Sequence, residues 1–519
     1  MTRDGYFLKR EVPCLEVPRP VSKKYPTMTI LIKVLQFFLS LSILIFVHEL
    51  GHFLAAKAFK TRVDKFYLFF DWGFSLFRCK KVNGKWRFRF FSKNVPEKYT
   101  VSEYRDAAGK KQKNYEPIDL STLPEDDWRR SDSTEYGIGW FPLGGYNKIA
   151  GMIDESMDKS QMQQAPQPWE FRSKPAWQRF IIMIAGVTMN VILAFVIYIG
   201  LLAHEGETYL PTTEVNKYGI SVDSLGYELG LRDGDKILAI DGVYIEKFQD
   251  IPMQIILDKA KTIEVERNGK DTIINLPEDA VARLLGSQDA AFISYRTPFV
   301  VASVVENSAG EAAGLQSGDV IIGINEIETP YYQDFIKNIK QFKNQDINLI
   351  VLRSADTLAL AMHLPEEGVI GAYTQTYLAD YFDLETKEYT FFEAIPAGFL
   401  KTFDGLSDYW KQIKLIFNPK TKGYENVGGF ISIGSIFPDQ WDWSIFWRMT
   451  AFLSIALAVM NILPIPALDG GHILFLLFEI ITRRKPSDKF MEVAETVGLI
   501  LVLGLIILAN GNDIIKLFK

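Results

Sequence analysis

The sequence predicts a mixed fold: a polytopic α-helical membrane protein with four transmembrane helices, a membrane-edge β-hairpin or re-entrant region, and two tandem β-rich domains. Three observations predict it. Apolar runs at residues 28–58, 177–203, 446–481 and 492–511 each approach or exceed the ~20 residues that a span needs. Lys85-Trp86-Arg87-Phe88-Arg89-Phe90 alternates with period two behind an Asn83-Gly84 turn, the pattern of a hairpin strand. A glycine-aspartate motif starts at Gly230 and again at Gly314, 84 residues on, about one small β domain.

Composition agrees. Of 519 residues, 48% are hydrophobic and 23% charged, as expected for spans alternating with soluble domains. The net charge of −6 gives no general basic character, so no nucleic-acid partner is expected. Cys14 and Cys79 fall on opposite sides of the first span, which leaves no disulfide framework and no cysteine metal site.

In chain order, residues 1–27 read as a polar tail without a signal peptide's apolar core, and Met28, which opens the first span, is an alternative start. Lys57, Lys60, Arg62 and Lys65 follow that span and mark its end as cytoplasmic. Residues 59–176 form the membrane-edge β region. Within it, 93–135, charged and poor in apolar periodicity, reads as a loop or insertion. Trp140-Phe141-Pro142-Leu143-Gly144-Gly145-Tyr146 reads either as a loop at the membrane edge or as a surface turn. Arg172, Lys174 and Arg179 precede the second span at 177–203, again on the cytoplasmic side, and Asn190 lies inside it. Asn190 suits either helix–helix hydrogen bonding or substrate contact.

Residues 207–290 and 291–374 hold the repeat, Gly230-Leu-Arg-Asp-Gly-Asp-Lys-Ile-Leu-Ala-Ile240 and Gly314-Leu-Gln-Ser-Gly-Asp-Val-Ile-Ile-Gly-Ile324. Both resemble the glycine-aspartate signature of PDZ domains, which implies peptide capture by strand addition or, with closed grooves, a spacer or size filter. In residues 388–440, Phe392, Ile395, Phe399, Phe403, Leu406, Trp410 and Ile413 recur at helical spacing, which suits a helix on the membrane surface or packed on a core.

The chemistry concentrates in the first and third spans. His48-Glu49-x-x-His52 puts two imidazoles on one helix face, where both can bind one metal ion, with Glu49 placed for general-base work on water. The third span, 446–481, is broken at Asn461-Ile-Leu-Pro464-Ile-Pro466-Ala-Leu-Asp469-Gly470. A carboxylate at that depth needs a partner, and a zinc ion held by His48 and His52 is that partner. Asp469 then completes three protein ligands with one position open, the arrangement of catalytic zinc. It also suits a helix N-cap. Asn461 suits a hydrogen bond to substrate, a donor to an oxyanion, or a helix cap near the prolines. His472 reads as structural. Arg483-Arg484-Lys485 again mark the cytoplasmic side.

Taken together, the His-Glu-x-x-His helix, Phe141-Pro-Leu-Gly-Gly-Tyr146, the tandem repeat and the Asn461–Gly470 segment resemble the site-2 protease family of intramembrane zinc metalloproteases (peptidase M50), of the regulator of sigma-E protease type. The resemblance runs from Met28 to the end. It implies His48, His52 and Asp469 as zinc ligands, Glu49 as base, and Asn461, Gly144 and Gly145 near the substrate. It also implies single-span membrane substrates of the anti-sigma-factor type, or remnant signal peptides. The expected location is the bacterial inner membrane, with the PDZ domains on the extracytoplasmic side and free to contact substrate there. Three departures are visible: Val187 follows Ala185-Gly186 where the family often has proline, Phe430 follows Gly429 where proline is usual, and 80–132 is extra. The alternatives are a non-catalytic PDZ membrane scaffold, which need not hold stoichiometric zinc, and a metal transporter, which would usually repeat its ion-site segment.

Overall fold

The computed structural model describes residues 26–94, 99–105, 111–125, 127–152, 165–287, 292–375 and 377–518. The expected tail, with Cys14, lies outside them up to residue 25. The chain forms two compact units: one holds 25–203, 390–410 and 428–519, and the other holds 204–389 and 411–427.

The long helices are α1 (Pro26–Ala58), α2 (Ala176–Glu205), α3 (Phe391–Ile416), α4 (Trp443–Ile462), α5 (Asp469–Thr482) and α6 (Asp488–Phe518); all belong to the first unit except the last residues of α2 and α3, which belong to the second. Of these, α1, α2, α4 and α6 contain stretches long and apolar enough to cross a membrane. The third apolar run is two helices. Pro464 and Pro466 lack the N–H that would continue α4, and Ala467 turns left-handed at φ 77°, so the chain restarts at Asp469. Helix α6 passes this break at Gly498, where a Cβ would lie 1.7 Å from the Pro466 carbonyl oxygen. Helix α3 forms over the expected amphipathic stretch. Phe399 packs on Phe195 of α2 at 5.9 Å, while Phe392, Leu400 and Phe403 stay exposed.

Between α1 and α2 lies a sheet. Strands β1 (Val63–Val82) and β2 (Lys85–Lys93) make the expected hairpin, with Asn83 and Gly84 both at positive φ (48° and 78°), as a two-residue hairpin turn requires. Trp86, Phe88 and Phe90 are exposed along one face of β2. The stretch expected as loop contains a second hairpin, β3 (Tyr99–Arg105) and β4 (Lys111–Pro117). Its strands are nearly all polar in sequence, so no alternation marked them. The loop also holds Trp128, which is 2% exposed and takes Arg89 over its ring.

The glycine-rich segment expected as a loop or turn is strand. It lies in β5 (Glu135–Ile149), an edge strand of the sheet β2-β1-β5. Lys65–Leu68 of β1 is matched both to Lys148–Gly145 and to Glu135–Ile138, so the first half of β1 lies between the two halves of β5. Glycine and proline disguised this strand, because both have low strand propensity. Burial and the Asp71 carboxylate hold the Tyr146 phenol well above its ordinary range, so it stays a donor to Asp71 Oδ1 at 2.8 Å.

The second unit carries the repeat. Its first module has a sheet of Lys236–Ile240, Thr262–Arg267 and Lys270–Asn275, and Ile220–Val222 paired with Ile293–Tyr295. Its second module orders Asp356–His363, Asp346–Arg353, Val320–Ile324, Phe299–Val304 and Ala372–Thr374 in one sheet. The two motifs are built alike. Gly230 and Gly314 sit at positive φ (96° and 82°), which glycine adopts without strain. Asp235 and Asp319, each 1% exposed, are gripped at 2.7 Å by two nitrogens of Arg267 and Arg353. Each arginine also donates to its motif's first glycine carbonyl at 2.8 Å. The first module extends past residue 290, where the sequence set its end. Ile293–Tyr295 belongs to its sheets, Leu378 and Phe382 belong to its core, and Glu385–Lys387 pairs with Glu207–Tyr209. These late segments carry no motif of their own, so the sequence repeat did not assign them.

Candidate metal centre

Helix α1 turns His48 and His52 to one side, and both are buried (8% and 6% exposed). The restart of the chain after Pro464 and Pro466 makes Asp469 the first residue of α5 and brings it to them. Asp469 Oδ2 lies 3.1 Å from His48 Nε2 and 3.3 Å from His52 Nε2, and the two Nε2 atoms are 3.2 Å apart. Among the described residues this is the group of histidine and acidic side chains that can hold a metal ion. A tetrahedral zinc with bonds of ~2.0–2.1 Å has its ligand atoms about 3.3 Å apart. The three edges therefore fit that ion as they stand. Asp469 Oδ2 is also buried with no hydrogen-bond donor, the state of an acceptor aimed at a cation. Two carboxylates, Glu49 and Asp469, lie close together here, and a bound cation would offset their charge.

The far nitrogens of the imidazoles are held as ligand histidines require. His52 Nδ1 lies 2.8 Å from the Ile182 carbonyl, which accepts its proton. His48 Nδ1 lies 3.2 Å from the Asn190 amide, and a flip of that amide places Oδ1, otherwise buried without a partner, on the Nδ1–H. Ser454 of α4 donates to the Asn190 carbonyl at 2.7 Å and so ties three helices at the site. Asn190 thus touches the His48 imidazole through its side chain.

Glu49 lies between the ligand helix and the sheet. Asn147 of β5 donates from Nδ2 to the Glu49 carbonyl at 2.5 Å and to Oε2 at 2.8 Å. Gly145 is on the same face of β5, and a Cβ there would meet Ile45 and the Tyr67 carbonyl at 2.8 Å and Glu49 Cγ at 3.7 Å. Gly144 adopts φ 148° over the Phe70 ring. Asn461 Nδ2 is 3.5 Å from His48 Nε2, beside the point the three ligand atoms share. His472 lies instead 3.9 Å from Glu495 Oε1.

Two residues escaped the sequence reading. Asn147 is two positions after Gly145 and shares its strand face, a signal readable only once the segment is known to be strand. Gly186 of α2 faces the imidazoles: a Cβ there would lie 2.3 Å from His52 Nε2 and 2.8 Å from His48 Cε1. Gly51 on the facing side has the same constraint, its Cβ falling 2.4 Å from the Ala185 carbonyl oxygen. The two glycines let α1 and α2 approach at the site as small residues do in membrane helices.

Comparison with known proteins gives the same reading. The family model described as "Peptidase family M50" matches residues 36–93 and 127–505. The Regulator of sigma E protease of Haemophilus influenzae is 28% identical over 412 residues, covering 75% of this chain and 89% of its own. Protease RseP of Yersinia pestis is 26% identical over 515 residues, covering 94% of this chain and 100% of its own. The matched residues include both histidines, Glu49, Asn461 and Asp469. The chain belongs to peptidase family M50.

Proposed function

We propose that the protein is a zinc-dependent intramembrane endopeptidase that cuts single-span membrane proteins, of the anti-sigma-factor type or remnant signal peptides. The observation that carries this is the buried triangle of His48, His52 and Asp469 beside Glu49, with edges of 3.1–3.3 Å. His48, His52 and Asp469 would hold the zinc. When bound, the ion polarises the scissile carbonyl and makes water acidic enough to attack near neutral pH. Glu49 accepts the proton of the attacking water and passes it to the leaving amine nitrogen. Asn461 donates to the carbonyl oxygen as it gains charge.

A helical substrate hides its carbonyls, so it must be drawn out as a strand before it can be cut. Among the described residues, the outer half of β5, Phe141–Ile149, pairs on one side only, and an added strand at Gly144 and Gly145 would run beside Glu49. The repeat modules are PDZ domains. They lie between the second and third spans, on the extracytoplasmic side, where they contact substrate or exclude bulky ones. Basic residues at 57–65, 172–179 and 483–485 share the cytoplasmic side of a bacterial inner membrane. The exposed apolar faces of α3 and α6 meet lipid.

The test is cleavage of a purified single-span reporter by the purified protein in detergent. Cleavage is expected to stop on dialysis against a strong chelator and to return with one equivalent of zinc. A reporter span carrying a helix-breaking pair should be cut faster than an all-leucine span. Cleavage that persists in the chelated protein would remove the metallopeptidase reading.

A further inference from the structure

The mechanism leaves one contact unexplained. Asn147 Nδ2 donates to two oxygens of one residue, the Glu49 carbonyl at 2.5 Å and the Glu49 Oε2 at 2.8 Å. Chemistry fixes the orientation of this amide: turned over, Oδ1 would face two acceptors and repel both. The cost of the observed orientation is also visible, because Asn147 Oδ1 is buried without a donor. Among the described residues, Asn147 is the only side chain recorded as a hydrogen-bond partner of the Glu49 carboxylate, which leaves Oε1 as the oxygen free for water.

Asn147 stands on the half of β5 that carries Gly144 and Gly145, and its own backbone is paired to Phe66 of β1. The strand that would receive substrate is therefore hydrogen-bonded to the carboxylate that would receive the proton. A glutamate has three side-chain torsions, and the last of them is fixed only where the carboxylate has a hydrogen-bond partner. A double donor anchored in a sheet fixes it.

We infer that Asn147 is a positioning residue for Glu49, holding its carboxylate in the rotamer that serves the reaction and coupling that rotamer to the substrate-binding strand. This rests on the reading of Glu49 as the base. The bond is charge-assisted, and its loss is expected to lower kcat roughly 10- to 100-fold. KM is expected to stay within about twofold, because Asn147 acts through Glu49 and not on the bound chain.

The experiment uses the full-length protein with a single-span reporter and compares wild type, Asn147→Leu, Asn147→Asp, Asn147→Gln and Glu49→Gln. Leucine and aspartate keep the size and remove the donor; glutamine keeps the donor on a longer arm. The expected result is low kcat for the leucine and aspartate variants and substantial recovery for glutamine, with one zinc per chain and the wild-type melting temperature in all three. Unchanged kcat in Asn147→Leu, beside an inactive Glu49→Gln, would overturn the inference and leave the base intact. Raised KM at constant kcat would make Asn147 a substrate contact instead, and a loss of zinc would make it part of the metal shell. Either result overturns the positioning role, as does a glutamine variant no better than leucine. Activity retained in Glu49→Gln would remove the base itself.

Discussion

Glu49→Gln is expected to lower reporter cleavage by roughly 10³-fold, within the range that general acid–base catalysis contributes. It should leave one zinc bound per chain. Glu49 is not one of the three atoms that bound the metal point, so its amide leaves the triangle of His48, His52 and Asp469 intact. The amide cannot accept a proton at neutral pH, so neither the attacking water nor the leaving amine is served. Quantified cleavage together with metal content per chain checks both halves. A glutamine variant that cuts at the wild-type rate contradicts the role of Glu49. One that loses zinc shows Glu49 to be a ligand.

Gly186→Ala is expected to be nearly as damaging, though the residue carries no functional group. Its Cβ would enter the space of the imidazoles, 2.3 Å from His52 Nε2 and 2.8 Å from His48 Cε1. Either the ligand nitrogens or helix α2 must move. Overpacking of this kind costs about 1–3 kcal/mol, equivalent to roughly 5- to 150-fold in an equilibrium. The cost falls on zinc affinity, because the atoms displaced are the ligands. Competition against a chromogenic chelator should show weaker zinc binding, with cleavage restored at high zinc. Wild-type zinc affinity in Gly186→Ala would mean that the helices spread without disturbing the site. By contrast Gly200, also in α2 but with open space at its Cβ, should tolerate alanine, and it serves as the control.

The contrast between these two residues shows what a sequence can disclose. His48, Glu49 and His52 are neighbours on one helix, and their spacing announces their chemistry. Asp469 is far away in sequence, yet a carboxylate set between prolines and glycines in an apolar run must meet a counter-charge, and that necessity pointed to the histidines. Gly186 acts by position alone, and Asn190 by the partner its amide meets. Nothing in an apolar run says which face of α2 meets α1, so the space at Gly186 and the bond from Asn190 emerged only with the packing. Asn147 was hidden differently. Pro142, Gly144 and Gly145 disguised its strand as a loop, and the alternation that would have put Asn147 beside Gly145 was never applied. The same limit hid β3 and β4, whose polar sequences carry no apolar alternation, and the return of Leu378 and Phe382 to the first module, a long-range contact without a motif.

If three side chains from two distant parts of the sequence hold one zinc ion, X-ray absorption at the zinc edge of the purified protein will see all three. Two imidazole nitrogens and one carboxylate oxygen are expected at about 2.0–2.2 Å, with the remaining position filled by a light atom. Asp469→Ala is expected to lose the carboxylate shell and to bind zinc much more weakly. A shell lacking imidazole scattering, or one unchanged by Asp469→Ala, would contradict the three-ligand site.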